Sequence, residues 1–200
     1  MSIITAIQPA NAMVLPQPQM EQAATLMQSL QRRRSTREFS RRPLPNDTLS
    51  TLLWAAFGIN RHDSGGRTAP SAHNWQEICV YAVLASGIYR YEAARHLLQP
   101  VATGDLRELT GMQEFVAHAP LNLVYVVDFS RMSEAAADER VFLAAADTGV
   151  IAQNVYLYCA AAGLATVVRG LVDRKKLAAA MNLGLHERIT LAQTVGFPVA

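Results

Sequence analysis

The segment Arg32-Arg33-Arg34-Ser35-Thr36-Arg37 sets four fixed cations and two hydroxyls within six residues. Guanidinium forks beside hydroxyl donors are the chemistry that grips a phosphate monoester. The same residues also make a solvated basic helix end, favoured by the helix dipole. A second stretch, Arg67 to Gln76, offers the small residues Pro70, Ser71 and Ala72, the amides of Asn74 and Gln76, and the aromatic plane of Trp75. That mixture suits a planar heterocycle with hydrogen-bonding edges. A polar surface loop whose Ser and Asn side chains make turns has the same composition.

Other chemistries lack their residues. No glycine-rich turn precedes a Lys-Ser or Lys-Thr pair, and the Rossmann glycine pattern is missing. His62, His73, His96, His118 and His186 have no metal-ligand spacing, and neither an HExxH motif nor a Ser/His/Asp arrangement is present. Of these histidines only His73 lies in a candidate site loop. Tyr81, Tyr89 and Tyr91 alternate along β-rich runs and read as core or interface residues.

These residues need elements to hold them. The spacing predicts a loose arm over residues 1–19, then a helix from Met20 to Gln31 that delivers the arginine cluster at its end. A helix capped by Asn46 or Asp47 runs to Phe57 and stops at Gly58. Residues 61–76 read as a long loop, followed by a hairpin of Ile78–Val83 and Ile88–Glu92 across Ser86-Gly87. Short helical pieces are expected between Val101 and Ala119, the second around Gln113–His118. The apolar run Leu121–Asp128 reads as a central strand buried on both faces. Ser133 opens the longest helix, alanine-rich and ended by Gly163 after Ala162. Strands over Leu164–Val168 and Arg188–Gly196 flank a helix from Asp173 to Met181. This order argues an α+β fold, with residues 20–200 as one domain.

The chain has 200 residues, 50% of them hydrophobic and 17% charged, a globular composition. Its 18 basic and 16 acidic side chains leave +2, which excludes bulk attraction to nucleic acid or acidic membranes; no aromatic stacking platform accompanies the arginines either. Only Lys175 and Lys176 are lysines, and six arginines lie between Arg32 and Arg42. Cys79 and Cys159 form no CxxC pair and read as buried free thiols of a reducing compartment, hence a cytoplasmic protein. No apolar run reaches the roughly 18 residues a membrane-spanning helix needs.

Five segments in order carry a resemblance: RRRSTREF (32–39), RTAPSAHNWQ (67–76), APLNLVYVVD (119–128), AADTGVIAQNVYLYCAAAGLATVVRG (145–170) and ITLAQTVGFP (189–198). Together they resemble the FMN-dependent nitroreductase superfamily over residues about 26 to 198. Within it, LLWAAFGIN, GRTAPSA and GIYRYEAARHLL look most like the branch containing the azoline-forming-cluster dehydrogenases.

The resemblance implies a three-layer α/β/α sandwich with a mainly antiparallel central sheet. It also implies a homodimer with one FMN at each of two interface sites. By position, Arg33 and Ser35 match phosphate ligands, Arg34 lies between them, and Arg37 matches the cation at the flavin's pyrimidine edge. Pro70, Ser71, Ala72 and Asn74 match the loop that reaches the flavin from the second subunit. Arg169 and Gly170 match the backbone that faces N5 and O4, and Gln113 matches a flavin-edge amide. The implied activity is hydride uptake from NADH or NADPH and ping-pong reduction of a nitroaromatic, quinone or similar small-molecule acceptor. An FMN-dependent dehydrogenase or oxidase of an organic or peptide substrate, or a flavin-binding protein without turnover, are the alternatives.

Two departures stand out. The family's basic pair beyond the last strand has no counterpart after Arg188, which puts more of the phosphate grip on Arg33 and its neighbours. Where many members carry Pro-Ile-Glu-Gly, this chain has Val167-Val168-Arg169-Gly170, so a basic side chain is expected near N5, where it would help bind an anionic acceptor or a dinucleotide phosphate.

Overall fold

The computed structural model describes residues 12–21 and 24–199. Nine strands and four helices are assigned among them: β1 (Met13–Val14), α1 (Leu26–Arg32), α2 (Asn46–Phe57), β2 (Ile59–Arg61), β3 (Gly66–Arg67), β4 (Ile78–Leu84), β5 (Gly87–Glu92), β6 (Leu97–Thr103), β7 (Leu121–Asp128), α3 (Ala137–Ala162), β8 (Ala165–Arg169), α4 (Arg174–Ala180) and β9 (Glu187–Gly196). Seven strands form one sheet in the order β1-β6-β5-β4-β7-β9-β8, every neighbouring pair antiparallel. The remaining two, β2 and β3, make a separate hairpin that begins two residues before the expected long loop and takes up its first part.

Alternation along the strands builds two cores. Ile78, Val80 and Ala82 of β4 and Leu121, Leu123 and Tyr125 of β7 pack with α2 and α3. Cys79, Tyr81 and Val83 on the opposite face, with Val124 and Val126, pack under Leu177 and Met181 around α4. Helices thus cover both faces of the sheet, the layering the resemblance implies. Leu52 and Leu53 of α2 are completely buried, each contributing about 1.5–3 kcal/mol by burial. Cys79 and Cys159 are free and buried. No helix among the described residues is long and apolar enough to cross a membrane.

Several expectations need correction. The described part of the arm is docked: Met13-Val14 pairs with Leu98 and Leu97, Leu15 is buried, and Ser50 Oγ and His96 Nε2 both meet the Pro16 carbonyl. Residues 1–11 of the arm lie outside the described residues. Helix α1 begins at Leu26, because Thr25 and Gln28 form a reciprocal capping box there. Pro45 occupies the N-cap of α2, and Asn46 is its first residue. α3 starts at Ala137, since Ser133 follows a short turn at Phe129–Met132 that the Asp128 side chain caps. Arg140 then reaches back to the carbonyls of Ala135 and Ser133, satisfying the acceptors exposed by that late start. Gly163 ends α3 in the left-handed region at φ 69°, as a closing glycine does. Strand β6 was not expected from the sequence, and Pro100 within it falls beyond the two-residue β1, opposite a register shift in β5.

Candidate functional site

The arginine row lies where α1 runs out. Arg33 leaves helical geometry at ψ 121°, and the chain then runs extended past the ends of β8 and β9. The Thr36 N–H donates to the Thr166 carbonyl at 2.9 Å, and the Ser40 N–H to the Phe197 carbonyl at 2.9 Å. Tyr156 of α3 organises this junction: its hydroxyl accepts the Val168 N–H at 3.0 Å and meets Ser35 Oγ at 2.8 Å. The Arg33 guanidinium sits 5.5 Å above the same ring. Arg32, Arg33, Arg34 and Thr36 line a cavity of about 390 Å³ together with Gly163, Ala165 and Thr166. Arg33, Arg34 and Arg37 are exposed, and no described carboxylate lies within 4.0 Å of any arginine from Arg32 to Arg42. A basic surface this dense without internal neutralisation creates a positive potential that attracts anions.

The second candidate, residues 70–76, is held in an unusual backbone. His73, Asn74 and Gln76 have φ of 50°, 55° and 50°, left-handed values that cost non-glycine residues of order 1 kcal/mol or more each. Its hub is Gln76. Its N–H donates to Ser71 Oγ at 3.0 Å, and its Nε2 donates to Asn74 Oδ1 at 3.1 Å. Arg67 Nε donates to its Oε1 and Arg131 Nη1 to its carbonyl. The His73 ring stacks on Trp75 at 4.5 Å. From outside the loop, Asp147 of α3 accepts the Ala72 N–H on Oδ2 at 2.8 Å. Pro70 and Asn74 remain exposed.

Within one chain these two groups do not meet. Asp147, which holds the loop, and Tyr156, which holds the arginine segment, are nine residues apart on α3. At 1.5 Å and 100° per residue, that is about 13 Å along the axis and half a turn around it. The helix therefore stands between Ser35 and Ala72.

Arg169 corrects an expectation. Its side chain is only 5% exposed and points into the protein. Nε donates to Thr194 Oγ1 at 3.0 Å, Nη1 to the Thr110 carbonyl at 2.7 Å and Nη2 to Asn122 Oδ1 at 3.1 Å. Gln113 Oε1 lies 3.5 Å from Nη1, so this amide faces the arginine. Burial without an acidic partner lowers the guanidinium pKa to about 10. The basic side chain expected to attract an anionic acceptor is thus committed to three neutral acceptors inside the fold. Gly111 makes the arrangement possible, because a Cβ there would stand 1.9 Å from Nη1. Gly170 next along is exposed, and a Cβ on it would meet only Leu191.

Tyr156, Asp147 and Asn122 were not singled out from the sequence. The signal for the last two was a polar residue inside an apolar run. Tyr156 gave none, since aromatic residues on an alanine-rich helix read as core.

The sequence profile of the Nitroreductase family matches residues 30–197. The chain belongs to the Nitroreductase family. A candidate nitroreductase of Methanocaldococcus jannaschii is 31% identical over 149 residues, covering 70% of this chain and 75% of that protein. The crystal structure of a candidate nitroreductase from Ralstonia eutropha is 43% identical and superposes with a TM-score of 0.91, covering 98% of this chain and 97% of that one. A chain of the E. coli microcin synthetase McbBCD, in complex with truncated pro-MccB17, shares the fold at 22% identity and TM-score 0.75, covering 100% of this chain and 85% of its own. The family membership and the antiparallel α+β fold are thereby those that the five segments implied.

Proposed function

We propose that this chain is an FMN-dependent oxidoreductase that takes a hydride from NADH or NADPH and reduces a nitroaromatic, quinone or similar small acceptor in a ping-pong cycle. The carrying observation is the cavity walled by Arg32–Arg34 and Thr36, which offers fixed cations and a hydroxyl without a carboxylate among them. That donor set fits a phosphate monoester, and the bare, exposed backbone of Gly170 fits the close approach of a flat ring. When bound, FMN supplies the redox chemistry itself.

In this reading Arg33, Arg34, Ser35 and Arg37 hold the anionic and pyrimidine ends. Tyr156 keeps Ser35 in place, Gln113 offers an amide at the ring's edge, and the Gly170 backbone leaves room beside it. Pro70, Ser71, Ala72 and Asn74 come from a second copy, because α3 keeps a chain's own loop away from its own arginines. A homodimer is supported by exposed apolar side chains on neighbouring helices, Leu26, Met27 and Leu30 of α1 and Val141 and Phe142 of α3.

A second reading, an FMN-dependent dehydrogenase or oxidase of an organic or peptide substrate, draws support from the motifs shared with the azoline-forming branch. Steady-state kinetics separate the two. Parallel double-reciprocal plots for NAD(P)H against a quinone or nitroaromatic support the first reading. Flavin that is tightly held yet inert towards both pyridine nucleotides overturns it in favour of the second or of a protein without turnover.

A further inference from the structure

Glu77 lies between the 70–76 loop and β4 and is completely buried, yet neither of its carboxyl oxygens has a described donor. A buried carboxylate without a donor is among the least stable arrangements in a protein interior. The acidic side chain that interacts with it is Asp147 of α3, itself only 8% exposed. Two carboxylates offer each other no proton, so that interaction is a hydrogen bond only when one of them is protonated. The cation facing Glu77 is Arg131, which gives Nη1 to the Gln76 carbonyl and stands 3.6 Å from Asp128. It does not replace the missing donor. Asp147 meanwhile accepts the Ala72 N–H, so it serves best as the charged partner, with Glu77 as the acid.

We propose that Glu77 is a positioning residue: it stays protonated, donates to Asp147, and through that shared proton fixes Asp147 against Ala72, holding the strained 71–76 loop ready for the cofactor. The last clause rests on the flavin reading above, and the shared proton does not. Burial, reinforced by the charge of Asp147, raises the Glu77 pKa to about 7, with the charge of Arg131 opposing the shift. The unfolded chain loses this proton near the ordinary carboxyl value of 4.5, and the folded protein keeps it to about 7. Stability from the pair is therefore complete below about 4.5 and declines as pH rises to about 7. Cofactor affinity, a property of the folded state, declines only above about 7.

The test compares the wild type with Glu77→Gln, whose amide donates to Asp147 at every pH. Thermal unfolding of the flavin-free protein is expected to show a wild-type Tm that falls between about pH 5 and 7 relative to the variant. FMN fluorescence quenching is expected to give a wild-type Kd about tenfold weaker one pH unit above the pKa, and a flat profile in the variant. Parallel Tm curves for the two proteins overturn the shared proton. A Tm difference with identical pH profiles of FMN affinity overturns the positioning role. A Tm difference in a protein that quenches no FMN at any pH overturns the flavin reading and leaves the shared proton standing. Should Glu77→Gln not fold, infrared difference spectra of the wild type across the same pH range decide: a buried protonated-carboxyl band that titrates near 7 supports the pair, and its absence overturns it.

Discussion

Replacing Arg169 by Met separates a structural arginine from a substrate-facing one. The side chain makes three charge-assisted hydrogen bonds, to Thr194 Oγ1, the Thr110 carbonyl and Asn122 Oδ1, and has no acidic partner. Each such bond contributes about 1.5–3 kcal/mol, but removing the charge also recovers several kcal/mol of ion desolvation. Asn122 Oδ1 and Thr194 Oγ1 keep each other, at 2.6 Å, so the acceptor left stranded is the Thr110 carbonyl. The net loss expected for Arg169→Met is about 2–4 kcal/mol in urea denaturation at neutral pH. Arg169→Lys is expected to lose nearly as much, because a single ammonium cannot span three acceptors arranged around a fork. KM values for anionic and neutral acceptors should move together in both variants. The reasoning is refuted if stability stays within about 0.5 kcal/mol of wild type while KM rises selectively for the anionic acceptor.

The double variant Arg33→Ala, Arg37→Ala is expected to lose FMN while keeping fold and oligomeric state; stoichiometric flavin retained through gel filtration would show the anchor to be elsewhere. Tyr156→Phe removes the hydroxyl that accepts the Val168 N–H and meets Ser35 Oγ. A stability loss of about 1–2 kcal/mol by denaturation is expected, with weaker FMN binding by fluorescence titration. Gly111→Ala drives a methyl group against Arg169 Nη1 and should cost about 1–3 kcal/mol in the same denaturation assay.

The sequence was most legible where one local signal dominates. Strand β7 is an apolar run interrupted only by Asn122 and ended by Asp128, and α4 is capped by Asp173, whose side chain accepts the Lys176 N–H as expected of a cap. Strand β6 was hidden because Pro100 argues against a strand, and only its place beside a two-residue partner makes the proline tolerable. Ser133 carries the composition of a helix cap, but Asp128 claims the preceding turn first. At the site, residue types were legible and side-chain directions were not. Arg169 reads as a cation beside a ligand because nothing local reveals Thr110, Asn122 and Thr194 waiting beneath it. Glu77 likewise looks like an ordinary charge at a strand's start, and its burial against Asp147 comes from packing across seventy residues of chain.

The central claim is a redox flavin held by the arginine row, and the absorbance spectrum of the purified protein tests it most directly. Spectra would be recorded after incubation with FMN and removal of the excess, then under anaerobic NADH and NADPH. The account predicts protein-bound flavin bands that bleach with at least one of the two nucleotides. A colourless protein after FMN incubation would contradict it.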